Sequence, residues 1–142
     1  MKKSITILLA LVLTLSLCAC GRRADTESTA YADGAVINIH EGEPTKTFTV
    51  EVVDKEQNKT TVTVKTDLDT VGEVLQQAKL LGGEQGEYGL YIHSVNGIPV
   101  DYERDQAYWA FYINGEYAVT GVDMTESEDG AVYTFAWESA WE

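Results

Sequence analysis

Two runs of strict alternation limit what this chain can become. Phe48, Val50 and Val52 alternate with Thr47, Thr49 and Glu51, and Val62 and Val64 alternate with Thr61, Thr63 and Lys65. Successive side chains of a strand point to opposite faces, so each run reads as a strand with one apolar and one polar side. The polar residues Asp54-Lys55-Glu56-Gln57-Asn58 between them predict a hairpin. One face of that hairpin must be covered and the other can meet water.

The cover follows at once in the sequence. Thr70-Val71-Gly72-Glu73 has the form of a capping box, in which the threonine hydroxyl accepts from the backbone N–H three residues on. Val71, Val74, Leu75, Ala78 and Leu81 recur at helical spacing, so the pattern predicts a helix over 70–81, stopped by Gly82-Gly83. Leu90 to Val95 then reads as a strand before a tight turn at Asn96-Gly97. Tyr108 to Ile113 reads as an aromatic strand, Asn114-Gly115 as a second tight turn, and Tyr117 to Val119 as the returning strand. Ala131 to Trp137 is the last strand, opened by Asp129-Gly130. A hairpin, one helix and further strands predict an α+β, β-grasp-like mixed sheet with one helix packed across one face. A ferredoxin-like split arrangement needs a second amphipathic helix. Pro99 and the Asn96-Gly97 turn leave none between Ser94 and Gln106.

The N-terminus reads differently. Lys2 and Lys3 precede an apolar run from Ile5 to Leu17, too short for a comfortable membrane span. It ends in Leu17-Cys18-Ala19-Cys20, which resembles the bacterial lipoprotein cleavage box. Cys20 would then be the first mature residue, with diacylglycerol on its sulfur. Cys18 is the weaker candidate because Leu17 before it is not small. An ordinary secretory signal cut near Ala19 is the alternative. The chain therefore divides into a signal peptide (1–19), a lipidated cysteine and flexible tether (20–44) and a folded domain (45–142). Val36 to Ile39 is either a short edge strand or more tether. The expected location is the cell membrane, lipid-anchored on the extracytoplasmic face.

Both cysteines fall in this segment, so the domain has no disulfide and no thiol chemistry. The net charge is −13, and residues 1–19 carry two lysines and no acid, so the remainder is more acidic still. That balance excludes nucleic acid as a partner and excludes docking on anionic lipid by charge, leaving membrane contact to the anchor.

Catalytic signatures are missing. The sequence has no nucleophile elbow, phosphate loop or dinucleotide fingerprint. His40 and His93 read as a surface residue and a sheet residue rather than a metal pair. Glu126-Ser127-Glu128-Asp129-Gly130 lacks the calcium-loop pattern and reads as a solvated loop. No catalytic residue, metal or required cofactor is expected, and hydrolysis by a carboxylate pair ranks last among the functions considered.

What remains is aromatic density between Tyr88 and Trp137. Alternation puts Trp109, Phe111 and Ile113 on one face of their strand and Tyr108, Ala110 and Tyr112 on the other. One helix covers one face only, so some rings stay exposed and suit an apolar, planar or sugar-like ligand. Ser94-Val95-Asn96-Gly97-Ile98, followed by Tyr108-Trp109-Ala110-Phe111-Tyr112-Ile113-Asn114-Gly115, resembles the transcobalamin-like C-terminal domain family, the β-domain of the carriers transcobalamin and intrinsic factor. The capped helix and Asp129-Gly130-Ala131-Val132-Tyr133-Thr134-Phe135 fit the same pattern. The resemblance spans roughly Phe48 to Trp137 and implies a β-grasp fold. It also implies cobalamin or another corrinoid as ligand, held in the animal carriers between this domain and a helical barrel of which this sequence carries no half. It directs attention to the hairpin from Asn114 to Gly121, with Tyr117 as the stacking side chain. Tyr108, Tyr112, Asn114, Gly115 and Tyr117 are the expected ligand-binding residues, and Trp109 and Phe111 the packing residues of the motif. The expected activity is capture of a small soluble ligand for a transporter. The alternative is a surface adhesion or assembly module that meets another protein through its aromatic face or sheet edge. Replacing Cys20 by serine is expected to release the protein from the membrane fraction into the medium, read by fractionation and by loss of lipid mass.

Overall fold

The two alternating runs pair with one another. In a computed structural model that describes residues 27–141, β2 (Lys46–Val53) and β3 (Lys59–Thr66) form an antiparallel hairpin with Phe48 opposite Val64 and Val50 opposite Val62. The signal peptide, Cys20 and the first tether residues lie outside the described residues. Val36–Ile39 is a strand, β1, laid parallel to β3, so the edge-strand alternative is the one adopted. The C-terminal strand β9 (Val132–Ser139) lies parallel to β2 on its other side and antiparallel to β7 (Ala107–Ile113). β8 (Glu116–Tyr117) closes the far edge, giving the order β1-β3-β2-β9-β7-β8.

The inner face of this sheet is apolar apart from the buried Thr66 at the end of β3. Phe48, Val50, Val52, Val62, Val64, Tyr133 and Phe135 are buried against α1 (Val71–Gln77), whose Val71, Val74 and Leu75 are fully enclosed. Thr70 caps the helix as the sequence predicts, its Oγ1 accepting from the Glu73 N–H at 3.3 Å. The helix ends earlier than expected. Lys79 adopts φ +55°, the Lys79 N–H donates to the Gln76 carbonyl, and the Leu80 N–H donates to the Leu75 carbonyl. That bond pair is a Schellman stop in which lysine occupies the place glycine usually takes. The reason lies one residue on: Leu80 and Leu81 are both buried and reach the core only if the chain straightens there.

Gly82-Gly83 therefore ends no helix. It sits in β4 (Leu81–Gly86), at a register shift against β5 (Gly89–Val95). A Cβ on Gly83 would fall on the Tyr91 carbonyl, so the glycine permits close approach of two strands. With β6 (Ile98–Pro99), these strands make a second, three-stranded sheet. The expected single sheet with one helix is thus corrected to two sheets, and the strand from Leu90 to Val95 belongs to the smaller one. A short second helix, α2 (Tyr102–Asp105), is capped by Asp101, which accepts from the Arg104 N–H at 2.8 Å. The molecule is β-rich with helix a minor component, and no described helix is long and apolar enough to cross a membrane.

Both asparagine-glycine turns form as read. Asn96 and Gly97 (φ +51° and +78°) and Asn114 and Gly115 (φ +50° and +85°) take the left-handed pairs that two-residue hairpins require. The return strand after Asn114-Gly115 is only two residues long, because the chain leaves the ladder at Ala118. Residues 28–33, read above as part of the flexible tether, are bonded to the domain. The Thr29 N–H donates to the Lys79 carbonyl, and the Tyr31 N–H and carbonyl pair with the Asn96 side chain at 2.6 and 3.2 Å.

Helix α1 touches the 3-10 turn Val122–Met124 at Gly72, where a Cβ would stand 2.7 Å from the Asp123 Cα. Alanine improves helix propensity by about 1 kcal/mol, whereas forcing a methyl against backbone costs roughly 1–3 kcal/mol. Gly72→Ala is expected to destabilise the fold by up to roughly 2 kcal/mol, measured by urea unfolding; a rise in the midpoint would show that the turn moves aside freely.

Candidate functional site

A cleft of about 270 Å³ opens where the two sheets meet beside β7. Leu90, Ile92, Trp109, Phe111 and Val122 supply its apolar walls, and Tyr91, Tyr102 and Tyr117 stand at its mouth, each about half exposed. It forms because β8 stops after two residues. β8 pairs with Tyr112 and Ile113, and the Ala118 N–H still reaches the Phe111 carbonyl, but beyond that the chain turns off through Thr120 and Gly121 to the 3-10 turn. Among the described residues no strand pairs with Ala107–Ala110 on that side, and the cleft lies beside this stretch.

Of the residues expected from sequence, Tyr108 and Tyr117 line the cleft. Trp109 and Phe111, expected to pack, do both: they are buried in the core and form part of the cleft wall. The buried Trp109 indole N–H has no acceptor among the described residues. Tyr112, Asn114 and Gly115 lie outside the lining. Asn114 has a local task, its Oδ1 accepting from the Val132 N–H at 2.9 Å and tying the hairpin turn to β9. Tyr91, Tyr102, Leu90 and Val100 were not singled out as site residues. The Asp101 cap that orients α2, and Tyr102 with it, is a local signal the sequence does carry.

Next to the cleft, on the outer face of the sheet, three tyrosines gather around one acid. The Tyr108 hydroxyl donates to Glu138 at 3.3 Å, and the Tyr112 hydroxyl makes a short bond to the other oxygen of the same carboxylate. The Tyr117 ring meets Tyr112 edge-on, centroids 5.5 Å apart. The hydrogen bond to Glu138, then burial and the Glu138 charge, push the Tyr112 phenol up to about 12. Tyr108 is raised too, first by burial and then by Tyr117 and Glu138. Both phenols thus stay neutral donors, and the cluster fixes the outer wall of the cleft.

A second depression, of about 530 Å³, lies between β1 and α1 and is mostly polar, with His40, Glu41, Asp67 and Glu73 among its walls. It has more room than the first cleft but no phenylalanine, tyrosine or tryptophan ring to hold a ligand. The His40 ring nitrogen is 2.6 Å from the Gly42 carbonyl, and His93 stands 3.5 Å from Glu84. No group of three or more histidines, cysteines or acids able to hold a metal ion occurs among the described residues.

Comparison with known proteins places the chain. A family model described as a domain of unknown function, DUF4430, matches residues 69–139, from the start of α1 through β9. The chain belongs to the DUF4430 family. A crystal structure from Ruminococcus gnavus ATCC 29149, described as a "putative metal binding protein", is 32% identical, with a TM-score of 0.64 over 68% of this chain and 99% of that one. Haptocorrin in complex with Cbi is 22% identical, with a TM-score of 0.52 over 66% of this chain. That likeness concerns the fold, and it covers 25% of the haptocorrin chain. No curated protein matches the sequence. The DUF4430 match contains α1, both turns, β7 and β9, but begins after the β2–β3 hairpin.

Below the ordinary tyrosine range the Tyr112–Glu138 bond contributes stability in full. Because the folded phenol is raised above its unfolded value of 10.0, that contribution declines as pH climbs from there through about 12. Glu138→Ala is expected to return one phenol from about 12 toward 10 in an ultraviolet phenolate titration; an unchanged curve would remove Glu138 as the cause.

Proposed function

We propose that this DUF4430 protein is a non-catalytic capture protein, lipid-anchored through Cys20 on the extracytoplasmic face of the membrane. It takes a small ring-bearing ligand into the cleft beside β7 and passes it to a transporter. The single observation that carries the reading is the cleft itself, with apolar walls and three half-exposed tyrosines at the mouth. Ligand sites combine mainly apolar walls with a few polar groups that fix orientation.

A corrinoid is the ligand we put first. Haptocorrin is described in complex with Cbi, cobinamide, and the tyrosine-tryptophan and asparagine-glycine motifs resemble the transcobalamin-like domain family. We read the hairpin, the helix and the central parallel strand β9 as a β-grasp arrangement in keeping with that relationship. The cleft is small for a whole corrin, at the low end of sites for drug-sized molecules. It would grip one edge of the macrocycle and leave the rest to solvent or to a second protein.

Calorimetric titration of the full chain in detergent with cobinamide tests this reading. One-to-one saturable heat is expected, weakened about tenfold in Tyr117→Ala, a loss of roughly 1.4 kcal/mol. Tyr117 is half exposed and contributes little to the core, so the variant keeps the fold. Absence of heat at high micromolar cobinamide would exclude the corrinoid, and equal affinity of the variant would exclude Tyr117.

A further inference from the structure

Each sheet ends in two outermost strands, and three of these four edges are blunted. Unpaired strand edges attract other chains, and proteins ordinarily guard them with short strands, bulges, charge or proline. β8 is two residues long and carries Glu116, β6 is two residues long and ends in Pro99, and β4 has a register shift at Gly82-Gly83 and carries Glu84. β1 has none of these devices: it reads Val36-Ile37-Asn38-Ile39, without charge or proline. The Thr63 N–H of β3 donates to the Ala35 carbonyl. Backbone groups of successive strand residues point to alternate sides. Ala35, Ile37 and Ile39 therefore turn theirs toward β3, and Val36 and Asn38 turn theirs away. No strand pairs with β1 on that outer side among the described residues. Val36 is 56% exposed, and Asn38 is exposed as well. The residues after β1 do not fold back over it. Ile39 and Lys46 both pair with Thr66, so the connection crosses the end of β3 to reach β2.

We propose that the outer edge of β1 is a β-augmentation site for an extended polypeptide segment that carries lysine or arginine at alternate positions. The site is separate from the cleft beside β7 and does not depend on the ligand proposed for it. Charge selects the partner. An added strand lies about 4.8 Å from its neighbour, here beside the polar depression between β1 and α1. Every second side chain of that strand turns to the helix side of the sheet. Glu41, Asp67 and Glu73 stand in the walls of the depression, and no lysine or arginine does. Lys46 is engaged nearby by the Leu68 carbonyl and the Ser127 hydroxyl, at 2.9 and 3.1 Å, and the His40 ring by the Gly42 carbonyl. Lys65 lies opposite Asn38 and so belongs to the other face, since Ile37 and Ile39 pack toward the core. The two faces therefore suit different side chains, basic ones toward α1 and uncharged ones beside the exposed Val36. A second copy of β1 would bring isoleucine to the helix side rather than a cation. Strand addition of this kind draws affinity from main-chain hydrogen bonds and specificity from alternate side chains.

The probe is a capped synthetic peptide alternating valine with lysine, titrated into the full chain in detergent with no corrinoid present, so a failure of the corrinoid reading does not bear on the result. Saturable binding is expected, with slowed hydrogen exchange at the Val36 and Asn38 amides. The same peptide N-methylated throughout is expected to bind at least ~10-fold more weakly, since it cannot pair. Asn38→Pro removes an outward N–H that the ladder to β3 does not use, a position where an edge strand accepts proline. It is expected to abolish binding with the far-ultraviolet circular dichroism unchanged. The double variant Glu41→Gln/Glu73→Gln, at two exposed positions, tests the charge without touching the backbone. It is expected to weaken the lysine peptide about fivefold. No binding of the unmodified peptide at millimolar concentration overturns the proposal, as does equal binding of the methylated one or unchanged exchange at Val36 and Asn38. Equal binding by a folded Asn38→Pro variant also overturns it. Unaltered affinity in the double variant overturns the assignment of a basic partner. Concentration-dependent dimerisation without peptide, with Val36 and Asn38 exchange slowing in step, assigns the edge to a second copy of the chain and overturns the proposal too.

Discussion

The buried phenol of Tyr133 stands where every part of the main sheet meets. Its ring lies edge-on to Phe48 of β2 at 5.1 Å and face to face with Phe111 of β7 at 6.1 Å. Its hydroxyl donates to the Glu126 carbonyl and accepts from the Glu128 N–H, both at 3.0 Å. One side chain therefore joins the hairpin half of the sheet to the aromatic half and pins the loop that delivers β9 between them. Burial raises its pKa, so the phenol stays a donor wherever the fold holds. A phenylalanine there would keep the packing and lose both hydrogen bonds that tie the loop to the sheet. Because β9 lies between β2 and β7, the two halves of the sheet are joined only through it.

The cleft is a by-product of how the aromatic half ends. The Asn114-Gly115 turn starts a hairpin that the following residues do not continue, since Val122 is required under α1 and the chain must cross to bring it there. Gly121 lies against the Asp123 carboxylate, where a Cβ would come within 2.9 Å of Oδ1. The gap left by this crossing is lined by residues of β5 and α2 and by the largely buried strand β7. Packing under the helix and openness beside β7 are thus two results of one change of direction.

Much of this was legible from local pattern. The β2–β3 hairpin, the capped start of α1 and both asparagine-glycine turns follow from period, cap and left-handed dihedrals, all of which act within a few residues. The helix stop was not legible, because glycine is the better local candidate and burial of Leu80 and Leu81 decided for Lys79 instead. The strand character of residues 90–95 was readable, but not its partner: alternation records which face is apolar and is silent about which sheet a strand joins. The same limit governs the site. Tyr108 and Tyr117 could be picked out as exposed rings on an aromatic strand. Tyr91 and Tyr102 come from the smaller sheet and α2, and only the tertiary fold brings them to the same opening.

The segment at 28–33 acquires a mechanical meaning from where it is bonded. A pull arriving from the N-terminal side of the chain meets the Thr29–Lys79 and Tyr31–Asn96 bonds before it meets any strand. Next in line is β1, held parallel to β3, where the ladder is loaded along its length and its bonds share the strain. The 28–33 strap thus acts as a sacrificial clasp in series with a shear-loaded pair. Tension would open the Asn96 turn and the end of α1 first, leaving β7 and the cleft beside it on the unloaded side of the sheet.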